Sequence, residues 1–265
     1  MKTLVKPGTK VSLKDYDPED TGPYDCADDI DTLLKEQLDE LVKLQNLLYA
    51  ENRRALLIIL QGMDTAGKDG TIRHVMTGLS PQGVVVKPFK APSPEELARD
   101  FLWRVHKAVP RHGQIGIFNR SHYEDVLVVR VHELVAKNVW KGRYWQINQF
   151  EKILAENGTI ILKFFLHISK DEQKKRLQER LKDPTRYWKF SKADIDERRS
   201  WGAYRKAYEA ALSKCSMPWA PWHIVPANHK WYRNLVVAET IVRTLRNLDM
   251  KFPEPAEDLS KIVVK

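Results

Sequence analysis

The stretch RRALLIILQGMDTAGKDG, residues 53–70, constrains the fold more than any other part of the chain. Its continuous apolar run, closing on Gly62, has the composition of a strand buried on both faces of a parallel sheet. The turn that follows spaces Gly62, Gly67 and Lys68 as G-x-x-x-x-G-K, and a helical pattern continues to about residue 79. Strand, glycine turn and helix in that order present backbone amides and a helix N-terminus to a phosphate group. Glycine allows the backbone to turn, and Lys68 adds a mobile full charge. Gly62, Thr65, Ala66, Gly67, Lys68 and Gly70 are therefore the candidate phosphate-binding residues of the loop.

The hydroxyl residue that usually follows the lysine is absent, and Asp69 stands there, with Asp64 inside the loop. Carboxylates in an anion site repel phosphate unless a cation stands between them. Magnesium, a hard ion held jointly by carboxylate and phosphate oxygens, answers this. The plainer role, a carboxylate complementing a helix N-terminus, suits Asp69 better than Asp64.

Beyond the loop, strands alternate with helices. Apolar runs at 83–89, 113–120, 158–168 and 222–227 read as four further strands. Helical patterns cover 28–50, 93–109 (Ser93 as N-cap, Pro94 in the first turn), much of 121–157, 170–213 and 230–248. This order predicts an α/β fold, a five-stranded parallel sheet flanked by helices in three layers, in a single domain spanning 1–265. Residues 1–27 read as an arm outside the core, about 170–213 as an inserted helical lid, and 252–265 as a tail. The helix at 28–50 suits either core packing or a subunit interface, and a homo-oligomer is expected.

The segment IFNRSHYEDVLV, 117–128, places Asn119, Arg120, Glu124 and Asp125 just past the third strand. In parallel α/β sheets ligands sit at the carboxyl ends of strands. Arg120 is placed to clamp phosphate, and Asp125 or Asp69 to share a metal with Asp64. Asn119 and Glu124 are nucleotide-binding candidates. Between 163 and 206 the chain carries 14 Lys or Arg against 7 Asp or Glu, which accounts for most of a net charge of +9. Arg176 and Arg180 are four residues apart on one helix face, so both can reach one anion. A mobile lid bearing arginines stabilises a phosphoryl group in transfer and excludes water. Arg186 and Lys189 follow as further anion contacts.

The basic balance suits a phosphate-rich partner. Cys26 and Cys215 are far apart and outside metal-like spacing, and no long apolar segment or leader is apparent. A cytoplasmic protein without a membrane partner is expected.

Four ordered blocks, GMDTAGKDG, FNRSHYED, RLQERLKDPTRYWKFSKADIDERRSW and APWHIVPANHKWYRN, resemble the polyphosphate kinase 2 family from about residue 30 to 250. The resemblance implies a P-loop kinase fold and magnesium-dependent transfer between inorganic polyphosphate and nucleotides. It assigns metal and phosphate binding to Asp64 and Lys68, with Asp69 as the loop's second aspartate. The family's second acidic motif often begins with Asp where this chain has Asn119, so a metal role is not carried over there. Glu124 and Asp125 occupy the later positions of that motif, and the NRSHYED form resembles the subclass that phosphorylates both AMP and ADP. The family's lid arginines map to Arg176 and Arg180, then Arg186 and Arg199. The expected partners are polyphosphate, AMP, ADP and ATP, with Mg2+ as cofactor and no nucleic acid. An ATP-dependent nucleoside-monophosphate kinase and a non-catalytic polyanion-binding protein are the alternatives.

Overall fold

The computed structural model describes residues 3–259 together with Ile262 and Val264. Five parallel strands form its sheet: β1 (Ala55–Gly62), β2 (Val84–Pro88), β3 (Ile115–Asn119), β4 (Thr159–His167) and β5 (Trp222–Pro226). Their spatial order is β2-β3-β1-β4-β5. β1 lies at the centre, in register with β3 from Leu56 opposite Ile115 and with β4 from Ala55 opposite Thr159. All eight of its residues are buried, which is why its sequence is apolar without alternation. β2 is an edge strand, and its Val85 and Val86 are exposed.

Among the described residues ten helices precede, connect or follow the strands. They are α1 (Asp31–Glu51), α2 (Lys68–Val75), α3 (Pro94–Leu97), α4 (Trp103–His106), α5 (Val128–Val131), α6 (Lys137–Glu156), α7 (Lys170–Lys182), α8 (Lys192–Arg199), α9 (Trp201–Lys214) and α10 (Lys230–Arg246). One group packs α1 and α2 against α10, and a second packs α5 against α6 and α9. Leu41, Leu44 and Leu48 turn the apolar face of α1 into the core. Among the described residues no helix is long and apolar enough to cross a membrane.

Two segments depart from the sequence reading. The helix predicted over 93–109 is two short turns. Ser93 caps the first in a reciprocal box with Glu96, and between the two turns the Leu102 amide donates to Asp100 Oδ1 (2.9 Å). The N-terminal segment is not an arm outside the core: Val5, Val11 and Leu13 are buried, and Thr3–Val5 pairs with Trp222–Ile224 along the free edge of β5. An unpaired edge exposes backbone donors and acceptors, and this pairing closes it. The lid interval resolves into α7, a 3-10 turn (Pro184–Lys189), α8 and α9. Residues 252–259 of the predicted tail are exposed; residues 260, 261, 263 and 265 and the Lys189 side chain lie outside the described residues.

Candidate active site

The glycine loop leaves the carboxyl end of β1, and the geometry explains its glycines. A Cβ on Gly62 would meet the Leu166 carbonyl oxygen at 2.8 Å. Gly67 has φ +100°, a backbone form that favours glycine, and a Cβ there would lie 2.0 Å from Arg233 Nη1. Thr65 and Arg120 also sit at positive φ, 66° and 61°. Strain of this kind in non-glycine residues persists only where surrounding contacts fix it.

Those contacts come from side-chain donors, three cations and the Gln173 amide, that grip loop carbonyls. Lys68 Nζ donates to Gly62 O (2.8 Å) and Met63 O (3.4 Å). Gln173 Nε2 donates to Asp64 O (3.1 Å). Arg176 Nη1 donates to Thr65 O (2.9 Å) and Ala66 O (3.3 Å), and its Nη2 to Ala227 O and Asn228 O. Arg233 Nη1 reaches Ala66 O at 3.4 Å. Every carbonyl from Gly62 to Ala66 is thus held by a side-chain donor, and the Ala66 amide closes the turn on Met63 O (3.0 Å).

Arg176 is therefore not the lid clamp its spacing suggested. It is 6% exposed, its Nε is committed to Glu172 (2.7 Å), and both terminal nitrogens hold backbone. It braces the loop from behind and ties it to α7 and to the carboxyl end of β5. Arg180 pairs with Asp194 of α8 (3.3 Å), and burial together with Asp64 raises the Asp194 pKa, which places α8 within the electrostatic reach of the loop. Arg186 and Arg199 face solvent beside Asp183 and Asp196.

The acidic stretch after β3 meets the loop at two points. Asn119 Nδ2 donates to Asp69 Oδ1 (2.6 Å), and Arg120 Nη2 donates to Asp64 Oδ1 (2.8 Å). Glu124 lies 3.7 Å from Arg120 Nη1. Burial raises its pKa, against the pull of the Arg120 and Lys68 charges. Burial lowers Lys68 to about 8, helped by the Arg120 charge and opposed by Asp64, Glu124 and Asp69. Asp125 stands apart: its Oδ1 accepts from Arg143 (2.8 Å), and burial pushes its carboxyl up to about 6. Lys68, Asp64, Asp69, Asn119, Arg120 and Glu124 thus converge, while the Asp125 carboxylate is engaged by Arg143. Among the described residues no group of three or more His, Cys, Asp or Glu is placed to hold a metal ion by itself.

Sequence reasoning passed over Arg233, Gln173 and Arg143. Arg233 is buried in the first turn of α10, just past the carboxyl end of β5, with Asn234 Oδ1 as its other partner (2.8 Å). Burial, then the neighbouring Arg176 charge, lowers its pKa to about 9. Its place beyond a strand's carboxyl end was the available signal. A cavity of about 500 Å³ opens beside Met63, lined in part by Lys170, Trp201 and Arg205.

A parallel sheet with a cationic glycine loop at the end of its central strand defines a P-loop kinase-like phosphotransferase fold. The model of the family Polyphosphate kinase 2 (PPK2) matches residues 25–253, and the chain belongs to that family. It is 51% identical over 268 residues to the AMP/ADP-polyphosphate phosphotransferase of Meiothermus ruber, covering 100% of this chain and 99% of that one. It is 46% identical over 262 residues to the ADP-polyphosphate phosphotransferase of Rhodopseudomonas palustris, covering 94% and 91%. The crystal structure of polyphosphate kinase 2 from Arthrobacter aurescens TC1 superposes with a TM-score of 0.93 at 46% identity, covering 97% of this chain and 92% of that one.

Proposed function

We propose that this enzyme transfers the terminal phosphoryl group of inorganic polyphosphate to AMP and ADP, with magnesium as its metal. The observation that carries the reading is the contact between two anion holders at the carboxyl ends of β1 and β3. The loop with Lys68 ends β1, and Arg120 ends β3, and Asp64 joins them. One holder suits the terminal phosphates of the chain, the other the phosphate of the acceptor nucleotide. The full-length relatives act on substrates of this kind.

The acceptor's phosphate oxygen is already anionic, so the reaction needs alignment and charge neutralisation more than a protein base. That oxygen forms a bond to the end phosphorus of the chain, the bridging P–O bond breaks, and the shortened chain leaves as an anion. Lys68 and the loop amides stabilise the phosphoryl group in transfer, and Arg120 orients the acceptor.

The donor set fits magnesium, which is commonly held by one or two carboxylates plus substrate phosphates. Asp64 and Asp69 flank the Lys68 ammonium, and each is oriented by a partner, Arg120 and Asn119. These two would hold the ion, which would screen the repulsion between the substrates. Asp125 would join them only by giving up Arg143.

Incubation with AMP and polyphosphate in the absence of ATP tests the reading. ADP and ATP appearing with chain shortening is the expected result. Phosphorylation of AMP only when ATP is supplied would identify an ATP-dependent nucleoside-monophosphate kinase instead.

A further inference from the structure

Beneath the acidic turn lies a buried cluster that contacts no proposed substrate group. Lys163, in the middle of β4, is fully buried, and its Nζ donates to Glu151 Oε2 (2.5 Å), Tyr123 OH (2.7 Å) and Cys215 O (2.6 Å). Glu151, from α6, is also fully buried, and its Oε1 accepts from Tyr123 OH (2.9 Å) and lies 3.2 Å from His122 Nε2. The Tyr123 ring packs edge-on against Trp222 of β5. The cluster thus fastens His122 and Tyr123 to α6, β4, β5 and the end of α9.

One peptide bond separates Tyr123 from Glu124, and two residues separate it from Arg120. The same turn is fixed on its site side by Ser121 Oγ, which accepts from Tyr123 N (3.2 Å) and Gln61 Nε2 (3.1 Å). Arg120 holds its positive φ between these anchors and the bond from its own amide to Leu60 O (3.1 Å).

A buried ion pair is a weak source of stability, because desolvation offsets much of its attraction, and apolar residues of similar volume serve as well or better. What a pair of this kind supplies is direction: its hydrogen bonds admit one arrangement of the groups around it. We propose that Glu151, Lys163 and Tyr123 are positioning residues for the acceptor side of the reaction. They hold the 119–125 turn so that Arg120, with Glu124 3.7 Å from its guanidinium, faces the nucleotide phosphate. The inference rests on the phosphotransfer reading and deepens it.

Two variants test it. Glu151→Gln removes the charge that balances Lys163 and is expected to lower the melting temperature. Tyr123→Phe keeps the ion pair and the ring and loses only the hydroxyl, so it is expected to remain folded. In Tyr123→Phe, the nucleotide KM should rise about fivefold and kcat fall about tenfold, while the polyphosphate KM stays within about twofold. A global loss of packing would move both KM values, or the folded fraction, together. A folded Tyr123→Phe with all three constants within about twofold of the parent, or with both KM values raised alike, would overturn the assignment. Absence of AMP phosphorylation in the parent itself would count against the function proposed above and this role with it. Normal parent turnover beside unchanged Tyr123→Phe constants would count against this role alone.

Discussion

Arg120 Nη2 donates to Asp64 Oδ1 across 2.8 Å, joining the end of β3 to the phosphate loop on β1. A guanidinium beside a carboxylate that is to bind magnesium competes with the metal for it. Arg120→Ala should therefore lower two quantities, each for its own reason. The half-saturating magnesium concentration should drop, because Asp64 loses a positive neighbour. The kcat should fall about 10²- to 10³-fold if Arg120 makes the proposed phosphate contact in the transition state. A magnesium titration of turnover in both proteins checks this.

Arg176 supplies four bonds to backbone carbonyls on two loops. Arg176→Ala should destabilise the fold by about 3 kcal/mol or more, as several buried carbonyls and Glu172 lose their donor together. Arg176→Lys should recover part of the stability while the polyphosphate KM stays raised about tenfold, since one ammonium does not reproduce the fork. Denaturant unfolding and steady-state kinetics on the two variants separate the effects.

Two glycines on opposite sides of the argument form an internal control. Gly67→Ala forces a Cβ into Arg233 at a φ that disfavours side chains, and should cost at least ~2 kcal/mol and nearly all activity. Gly142 lies within α6 with open space around its Cβ position, so Gly142→Ala should stabilise by about 0.5–1 kcal/mol and leave turnover unchanged. Thermal melts of the two proteins give the comparison.

Burial holds Lys68 at about 8 in the free enzyme. The ammonium binds phosphate and the neutral amine does not. The kcat/KM for polyphosphate should accordingly be level below that pH and fall tenfold per unit above it, with an apparent pKa near 8. A profile that stays flat to about pH 9.5 would mean that Lys68 remains charged throughout.

The parts legible in the sequence were those governed by local pattern. The unbroken apolar run of β1, the glycine spacing and the Ser93 cap each depend on residues close in the chain. What escaped depends on distant partners. Val5, Val11 and Leu13 sit among charged and turn-forming residues, and they are placed by partners far along the chain, Val5 by the edge of β5 and Val11 and Leu13 by Ser213 and Glu209 of α9. The i,i+4 spacing put Arg176 and Arg180 on one side of α7. It did not say that one would point under the loop while the other met Asp194. Asp125 fell near the loop in sequence logic, yet Arg143, 18 residues on, holds it elsewhere.

The most direct test concerns the loop carboxylates themselves. Asp64→Asn removes a negative charge from an anion site, so calorimetry should find polyphosphate bound at least as tightly as by the parent protein. Phosphoryl transfer from polyphosphate to AMP should nevertheless fall by about 10²-fold or more, and in the parent it should cease when a chelator removes divalent ions. Turnover that survives both Asp64→Asn and the chelator would contradict a metal-bridged meeting of the two substrates.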